Sequence, residues 1–322
     1  MKQQQFENLY RQDWQAFGEQ LEQVEKHPTQ VLSPHFARDY RRICQHHAVS
    51  KSRHYSSYLV DELDQMVLRG HRVLYRRKTY FAQAILRFLV TDFPRQVRAQ
   101  GRLVWLTTAF FYLPALCLAL AQLWQPDLIY SLFPPPQVQE MEAMYDPSNI
   151  TLGEARESPT NWLMFGFYIQ NNVGLAFRTF AAGLLAGVGS LVFVVYNGLM
   201  LGAVATHLNA LGSGTTFFAF VVGHGSFELT AIIIAGAAGL KLGLSLLHPG
   251  QVSRLVALRQ ASGPAIDLIM GAMVFLLIAA FIEAFWSSNN MLAPWQKFGM
   301  GGLLWLLVIA YLSLAGKTYG PR

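Results

Sequence analysis

The chain has 322 residues, of which 52% are hydrophobic and only 14% are charged. A soluble domain typically carries about 25% charged residues, so the composition disfavours an ordinary cytosolic enzyme, and it also excludes a disordered chain. Residues 1–102 carry a net charge of +7, whereas residues 103–322 carry −1. The sequence therefore predicts a polar, basic head followed by an apolar body.

The head is predicted to be a small bundle of helices. Apolar residues recur every three or four positions over residues 6–24, and helices are also indicated over residues 34–48 and 56–77. Residues 80–93 are apolar but too short to cross a bilayer, and Arg87 interrupts them. We expect this last segment to be a helix lying in the plane of the membrane surface.

Histidines and a basic run in the head raise the question of a ligand. No cysteine or carboxylate keeps metal-ligand spacing with the histidines, so surface histidines are the expected interpretation. The basic run Arg76–Lys78 has no nucleic-acid recognition motif beside it, so we expect no nucleic acid and favour anionic lipid as its partner. The six histidines are His27, His35, His46, His47, His54 and His71.

The body predicts several helices that cross a membrane. Residues 103–124 have no charged side chain and would span about 33 Å as a helix, which is enough for one crossing. An acidic loop over residues 125–160 follows and is expected to be external, because the basic residues before the first crossing place the N-terminus in the cytoplasm. The later apolar runs are residues 179–206, 214–240, 265–286 and 299–316.

The sequence leaves the number of crossings open. Residues 162–177 are rich in aromatic side chains and contain two adjacent asparagines, which favours a helix at the outer interface or a partly re-entrant helix. Two crossings between the acidic loop and Arg254 would then leave that arginine outside, against the usual distribution of positive charge. Either residues 162–177 also cross, or one run is broken into half-helices, or the charge preference fails locally.

The predicted fold class is an all-α polytopic membrane protein with five or six spans and a small cytoplasmic helical head. Only helices and closed barrels satisfy every backbone hydrogen bond in lipid, and the apolar runs are too long for barrel strands. The predicted domains are the head, residues 1–102, and a transmembrane domain, residues 103–322.

An ionisable pair lies inside one predicted span. His224 and Glu228 are four residues apart and share a helix face with Ala231, Ala235 and Gly239, so the pair should point at a neighbouring helix. Burying such a residue in the membrane costs about 2.5–3.5 kcal/mol. A structural hydrogen bond, proton or ion handling, and catalysis all remain open as roles. Two ligands do not make a metal site, so no metal or cofactor is expected.

Further polar residues and glycines complete the candidate site. Glu283 lies near a predicted helix end, where it could reach the interface, and Asn197 is expected to pack between helices. The intramembrane polar set is His224, Glu228, Asn171, Asn172, Asn197 and Glu283. The glycines expected to mediate helix packing are Gly183, Gly187, Gly198, Gly202, Gly225, Gly239 and Gly243.

Several stretches resemble the stage II sporulation protein M family of bacterial membrane proteins. The matching pieces are FYIQNNVGLAFRTFAAGLLAGVGS, YNGLMLGA, GHGSFELTAIIIAGAAGLKLG and the shorter IEAF. The resemblance implies a polytopic membrane protein whose signature falls on His224, Gly225 and Glu228, with no assigned catalytic residue. The family's namesake is a membrane anchor or scaffold that acts with peptidoglycan-degrading partners, and the present chain differs by its head of about a hundred residues.

Three functions are compatible with these observations. The first is a scaffold or anchor of the bacterial inner membrane that assembles with envelope or cytoplasmic proteins, or as a homo-oligomer. The second is a component of a proton- or ion-coupled transporter or channel that uses the His224–Glu228 pair. The third and least favoured is an intramembrane hydrolase, which requires Glu283 to converge with that pair. We assign no catalytic residue.

Overall fold

The structure is a computed structural model that describes residues 1–26, 33, 35–74, 81–148, 158–289 and 291–317. Helices and turns account for these residues, with no strand among them, which confirms the all-α fold class. The contacts divide the chain into two compact units, Met1–Phe81 and Ala82–Arg322. His27, the basic run 76–78 and the loop acids Glu154 and Glu157 lie outside the described residues.

The first unit is a three-helix bundle with its own core. Its helices are α1 (Gln3–Lys26), α2 (Phe36–Ser52) and α3 (Ser57–Leu74). Apolar side chains at helical spacing on each helix turn toward the other two, because this removes their apolar surface from water. The buried residues of this core are Phe6, Trp14, Phe17, Leu21, Phe36, Ile43, Leu59 and Leu63.

The rest of the chain forms nine further α-helices among the described residues. They are α4 (Phe81–Arg87), α5 (Phe93–Ala99), α6 (Gly101–Gln122), α7 (Pro135–Tyr145), α8 (Ser158–Ala181), α9 (Val188–Ala210), α10 (Gly214–Leu247), α11 (Arg254–Ile282) and α12 (Pro294–Leu314). A π-helix, Phe88–Asp92, joins α4 to α5, and a second one, Glu283–Ser287, extends α11. Among the described helices, α6, α9, α10, α12 and α11 with its extension are long and apolar enough to cross a membrane.

The directions of α6 and α9 show that α8 also runs through the bundle. A methyl group added at Gly198 would meet the backbone of Phe111, and one added at Gly202 would meet that of Ala115. A contact four residues later on α9 falls four residues later on α6, so the two helices run parallel. The chain must therefore return between them, and α8, a helix of 24 residues, provides the return.

Contacts at both ends of α8 agree with this path. At its start, the ring of Trp162 lies 5.0 Å from that of Phe285, at the end of α11. Near its other end, the carbonyl of Thr179 lies beside Gly239, close to the end of α10. The helix therefore passes from one end of the bundle to the other, a path that agrees with the first of the three alternatives.

Six helices consequently alternate in direction, and α6 starts at the end of the bundle where α12 finishes. There the Arg98 guanidinium donates to the carbonyls of Leu312 (2.7 Å) and Ala315 (2.6 Å). The Lys241 ammonium donates to Gln100 Oε1 at 3.0 Å. We call this the basic end, because the described residues placed there by contact or connectivity include Arg95, Arg98, Arg102, Lys241, Arg254, Arg259 and Lys317.

The opposite end is covered by the segment between α6 and α8. Ile129 and Val138 are fully buried against Ala203 of α9. Glu142 of α7 lies 2.6 Å from His207 Nε2, at the end of α9. We call this the acidic end, because the described residues of its connecting segment include Asp127, Glu140, Glu142 and Asp146. These contacts hold α7 against the bundle and so fix the position of Tyr145, its last residue.

Most of the glycines predicted to mediate packing lie at close backbone contacts. An added methyl group would strike neighbouring backbone or side-chain atoms at Gly183, Gly187, Gly198, Gly202, Gly239 and Gly243. Gly187 also has a φ of +82°, which favours glycine at the start of α9. Gly225 differs, because an added methyl group there would approach only Val221 and Leu229 of its own helix.

Candidate functional site

Three ionisable side chains meet near the acidic end of the bundle. His224 and Glu228 lie on α10, and Glu283 is the first residue of the π-helix that extends α11. One ligand atom from each of the three lies within 4.8 Å of the others, and His224 Nε2 is 3.8 Å from Glu228 Oε2. Glu283 therefore turns toward the pair instead of reaching the interface. We call these three residues the triad.

A hydroxyl group holds the His224 ring in place. His224 is 4% exposed, and its Nδ1 lies 3.0 Å from the Oγ of Ser287, which is 1% exposed. In the tautomer whose Nδ1–H donates to this hydroxyl, the Nε2 lone pair faces Glu228. The ring of Phe220, 5.4 Å away in an edge-to-face arrangement, covers another side of the imidazole.

Glu283 and Ser287 can reach the same imidazole because they are four positions apart in one helical element. Both belong to the π-helical turn that extends α11. Glu283 opens this turn and Ser287 closes it. The ring of Trp286 lies where a side chain at position 223 would project, so glycine at that position allows α10 and the π-helix to approach closely.

Tyr145 covers the approach to the triad from the acidic end. Its ring lies 5.2 Å from that of Phe217 and 6.0 Å from that of Phe220, which in turn contacts His224. Burial raises the pKa of the Tyr145 phenol above its usual value, and the negative charges of Glu283 and Glu228 add smaller contributions in the same direction. The phenol therefore stays protonated and neutral above the carboxylates.

A small cavity with both polar and apolar lining lies beside Ser287, near the acidic end. Its volume is about 120 Å³, which is room for a few water molecules. Its lining includes Thr216 and Ser288, together with Ser287, whose hydroxyl contacts His224. Lys297 of α12 also lines it and donates from Nζ to the Ser287 carbonyl at 2.8 Å. The cavity therefore borders the residue that holds the His224 ring, whereas His224, Glu228 and Glu283 are not among its lining residues.

The asparagines of the predicted set occupy different environments. Asn172 is buried, whereas Asn171 is exposed and donates from Nδ2 to Asn172 Oδ1 at 3.1 Å. Asn197 donates from Nδ2 to the Phe193 carbonyl of its own helix at 2.8 Å. Asn197 is thus engaged within α9, one residue before a glycine that packs on α6.

The outer surface of α8 carries polar side chains halfway along its length. Gly166, Gln170 and Asn171 are exposed, and Gly174 is half-buried. An added methyl group at Gly166 would meet no atom within 4 Å, so the surface there is open. We call these four residues the α8 face. Gln170 lies about 18 Å along the helix from its first residue, at 1.5 Å per residue.

Sequence reasoning missed Ser287, Tyr145 and Gln170. Ser287 is 63 residues from His224, and Tyr145 lies in a connecting segment, so no local pattern links either residue to the site. Gln170 carried a usable signal, because an amide within a membrane helix normally faces protein. From the sequence we expected no metal to bind, because only His224 and Glu228 could be placed together. The structure adds Glu283 as a third possible ligand.

Comparison with known proteins agrees with this architecture. The family model described as stage II sporulation protein M matches residues 103–288, which is more than half of the chain. A second model, described as a domain of unknown function (DUF8413), matches residues 4–76 in the first unit. No curated protein and no solved structure gives a significant match. The chain belongs to the stage II sporulation protein M family.

Proposed function

We propose that the protein is a scaffold of the bacterial cytoplasmic membrane that assembles with a second copy of itself through the α8 face. The observation that carries this proposal is the exposure of Gln170 and Asn171 in the middle of a helix that runs through the bundle. Amide groups facing lipid forgo hydrogen bonds, whereas a facing helix can supply them.

The chemistry of the α8 face favours a second copy as its occupant. An amide side chain both donates and accepts, so Gln170 of one copy can pair with the same face of another across a two-fold axis. Gly166 and Gly174 are each four residues from Gln170, and small residues at this spacing let two helix backbones approach closely. The separate three-helix unit would then present two copies of its surface to a cytoplasmic or envelope partner.

The charge distribution supports an orientation with the basic end in the cytoplasm. The described residues of the basic end include seven arginines and lysines, named above, whereas the connecting segment of the acidic end contributes four acids. Loops rich in lysine and arginine remain on the cytoplasmic side during insertion. In this orientation the triad lies in the outer half of the membrane.

Cysteine cross-linking in membranes tests the assembly. In a background with Cys44→Ser and Cys117→Ser, we expect Gly166→Cys to form a disulfide-linked dimer on oxidation. Gly302→Cys is the matched control, because Gly302 is also exposed on a membrane helix with no atom within 4 Å of an added methyl group. Equal cross-linking of the two variants, or none with Gly166→Cys, would count against assembly through α8.

Removing the amides provides a second test of the same proposal. Gln170→Leu combined with Asn171→Leu should weaken the dimer about tenfold, because interhelical polar contacts contribute about 1–2 kcal/mol. Ser313→Leu, on the exposed surface of α12, is the control that also adds apolar surface. Sedimentation equilibrium in detergent gives the dissociation constants. An unchanged constant for the double variant would contradict the proposal.

A second candidate function is a component of an ion-coupled transporter or channel. The triad favours it, because buried carboxylates and imidazoles in membranes commonly handle protons or ions. This function predicts that Glu228→Gln changes proton-dependent flux in reconstituted vesicles. If the wild-type protein shows no flux with any of the cations tested, the transporter function is weakened.

A further inference from the structure

We propose that His224, Glu228 and Glu283 bind one divalent transition-metal ion near the acidic end of the bundle. The inference does not depend on self-assembly through α8. It rests on the convergence of one imidazole nitrogen and two carboxylates from two packed elements, within 4.8 Å of one another.

The donor set selects the class of metal. Imidazole suits zinc, iron, copper and nickel, whereas carboxylate oxygens suit the harder ions magnesium, calcium and manganese. One imidazole with two carboxylates therefore fits Zn²⁺, Fe²⁺ or Mn²⁺ better than Mg²⁺, which prefers ligation by oxygen alone. Three protein ligands also leave one or more positions for water, as in zinc sites that are open to small molecules.

The present distances are slightly longer than those of a bound site. Zinc ligands lie about 2.0–2.2 Å from the ion, so they lie roughly 3.4 Å from each other in a tetrahedral arrangement. His224 Nε2 and Glu228 Oε2 are 3.8 Å apart, and the whole triad lies within 4.8 Å. The ligand atoms are thus at most about 1.4 Å farther apart than in a bound site, a difference that the side-chain torsions of the two glutamates would close.

Ser287 gives the imidazole the orientation that a metal requires. Imidazoles that bind metals usually donate their other ring N–H to an oxygen, which fixes the tautomer and increases the basicity of the binding nitrogen. The contact of 3.0 Å between His224 Nδ1 and Ser287 Oγ meets this requirement. Ser287 is itself buried and belongs to the same π-helix as Glu283, so the ligand and the orienting group are held together.

Charge supplies the driving force for binding a cation. Two carboxylates lie close together near the apolar rings of Phe220 and Tyr145. Two negative charges without a compensating cation are unfavourable in such surroundings. A divalent ion compensates both charges at once. A cavity lined by Thr216, Ser287, Ser288 and the positively charged Lys297 lies beside the orienting residue Ser287.

Metal binding to the full chain in detergent tests the proposal. The protein is purified without a polyhistidine tag, stripped with a chelator and dialysed against ZnCl₂ or MgCl₂ alone. We expect about one zinc ion per chain by elemental analysis, and at least tenfold weaker binding of Mg²⁺. Glu228→Gln and Glu283→Gln should each weaken zinc binding about 10–100-fold.

His207→Gln is the matched control. His207 also faces a glutamate, Glu142, at 2.6 Å, but the two residues form a pair and not a triad. This variant should bind zinc as the wild type does. Loss of zinc from His207→Gln with retention in Glu228→Gln would place the metal elsewhere and overturn the proposal.

Spectroscopy on the wild type keeps the test decisive if a variant fails to fold. Co²⁺ replacing zinc in a site of one nitrogen and two carboxylates should give visible absorption bands, and added zinc should abolish them. Wild-type protein that binds no zinc and gives no such bands would overturn the proposal. Folded Glu228→Gln and Glu283→Gln variants that bind zinc as tightly as the wild type would also overturn it.

Discussion

His46 is a polar residue in the core of the three-helix unit. It is 8% exposed, and its Nδ1 accepts a hydrogen bond from the indole N–H of Trp14 at 3.0 Å. The ring of Tyr10 lies 4.1 Å from the imidazole. Burial lowers the pKa of His46, because the apolar surroundings disfavour the charged ring, and Asp13 opposes this effect. The neutral form is therefore the one that the core accommodates.

This pKa shift predicts that the three-helix unit loses stability in acid. The unfolded state binds the proton more readily, so the contribution of His46 is complete above its unfolded pKa of about 6.5 and is lost as the pH falls through the lower folded pKa. Hydrogen exchange of residues 3–26 in the full chain should show weaker protection at pH 5 than at pH 8, after correction for intrinsic exchange rates. In His46→Gln, whose amide oxygen can still accept from Trp14, this pH dependence should be smaller. An identical dependence in both proteins would show that another group is responsible.

Ser287 provides a second prediction for a single residue. Ser287→Ala removes the hydroxyl that contacts His224 Nδ1 and leaves a buried ring nitrogen without that partner, which should cost about 1–3 kcal/mol. Ser288→Ala is the control, because the Ser288 hydroxyl donates to the Ala284 carbonyl of its own helical turn. Its cost should stay within about 0.5 kcal/mol. Reversible unfolding in mixed detergent micelles measures both, and equal costs would argue against a specific role for Ser287.

At the scale of whole elements, the close crossing of α8 and α10 depends on a glycine of α10, Gly239. At Gly239 an added methyl group would lie against Ser190 Oγ and the carbonyls of Phe180 and Thr179. The Ser190 hydroxyl donates to the Thr179 carbonyl at 2.6 Å and ties the start of α9 to the end of α8. Three helices thus meet at one glycine, where their backbones are in contact.

Gly239→Ala should therefore destabilise the bundle by about 1–3 kcal/mol, because the methyl group overpacks this crossing. Gly263→Ala is the matched control on α11, since Gly263 is exposed and an added methyl group there meets nothing within 4 Å. The control should be neutral or up to about 1 kcal/mol more stable, since alanine favours the helix. A Gly239→Ala protein as stable as its control would contradict the close packing described here.

The sequence predicted the apolar helices well and left the path of α8 open. Long runs without charge, such as residues 103–124, indicate a membrane helix by composition alone. Helix α8 is rich in aromatic side chains and carries Asn171 and Asn172 midway, so composition favoured an interfacial or partly re-entrant helix. Its path became clear only from the parallel packing of α6 and α9, which involves residues nearly ninety positions apart.

The candidate site was predictable only in its local part. His224 and Glu228 share a face because they are four residues apart on one helix, and this spacing can be read from the sequence. Glu283 is 55 residues beyond Glu228, and its approach depends on the packing of α10 against the π-helix. No periodic pattern predicts a π-helix, since it departs from the regular helical repeat.

At the scale of the whole molecule, six alternating helices place opposite charges at the two ends of the bundle. With only two crossings after the acidic loop, Arg254 would lie on the outer side, against the usual distribution of positive charge. Because α8 also runs through the bundle, Arg254 lies at the same end as Arg98. The crossing count, the charge distribution and the direction of α12 are then mutually consistent. In this topology the triad and the α8 face lie between the two charged ends of the bundle.

Labelling of single cysteines from the two sides of the membrane tests this topology most directly. In the background lacking Cys44 and Cys117, Gln251→Cys probes the turn between α10 and α11, and Met291→Cys, at a residue 90% exposed, probes the segment between α11 and α12. We predict that an impermeant maleimide labels Met291→Cys in intact spheroplasts and labels Gln251→Cys and Lys317→Cys only after lysis. Labelling of Gln251→Cys in intact spheroplasts, or of Gln251→Cys and Lys317→Cys from opposite sides, would contradict the account.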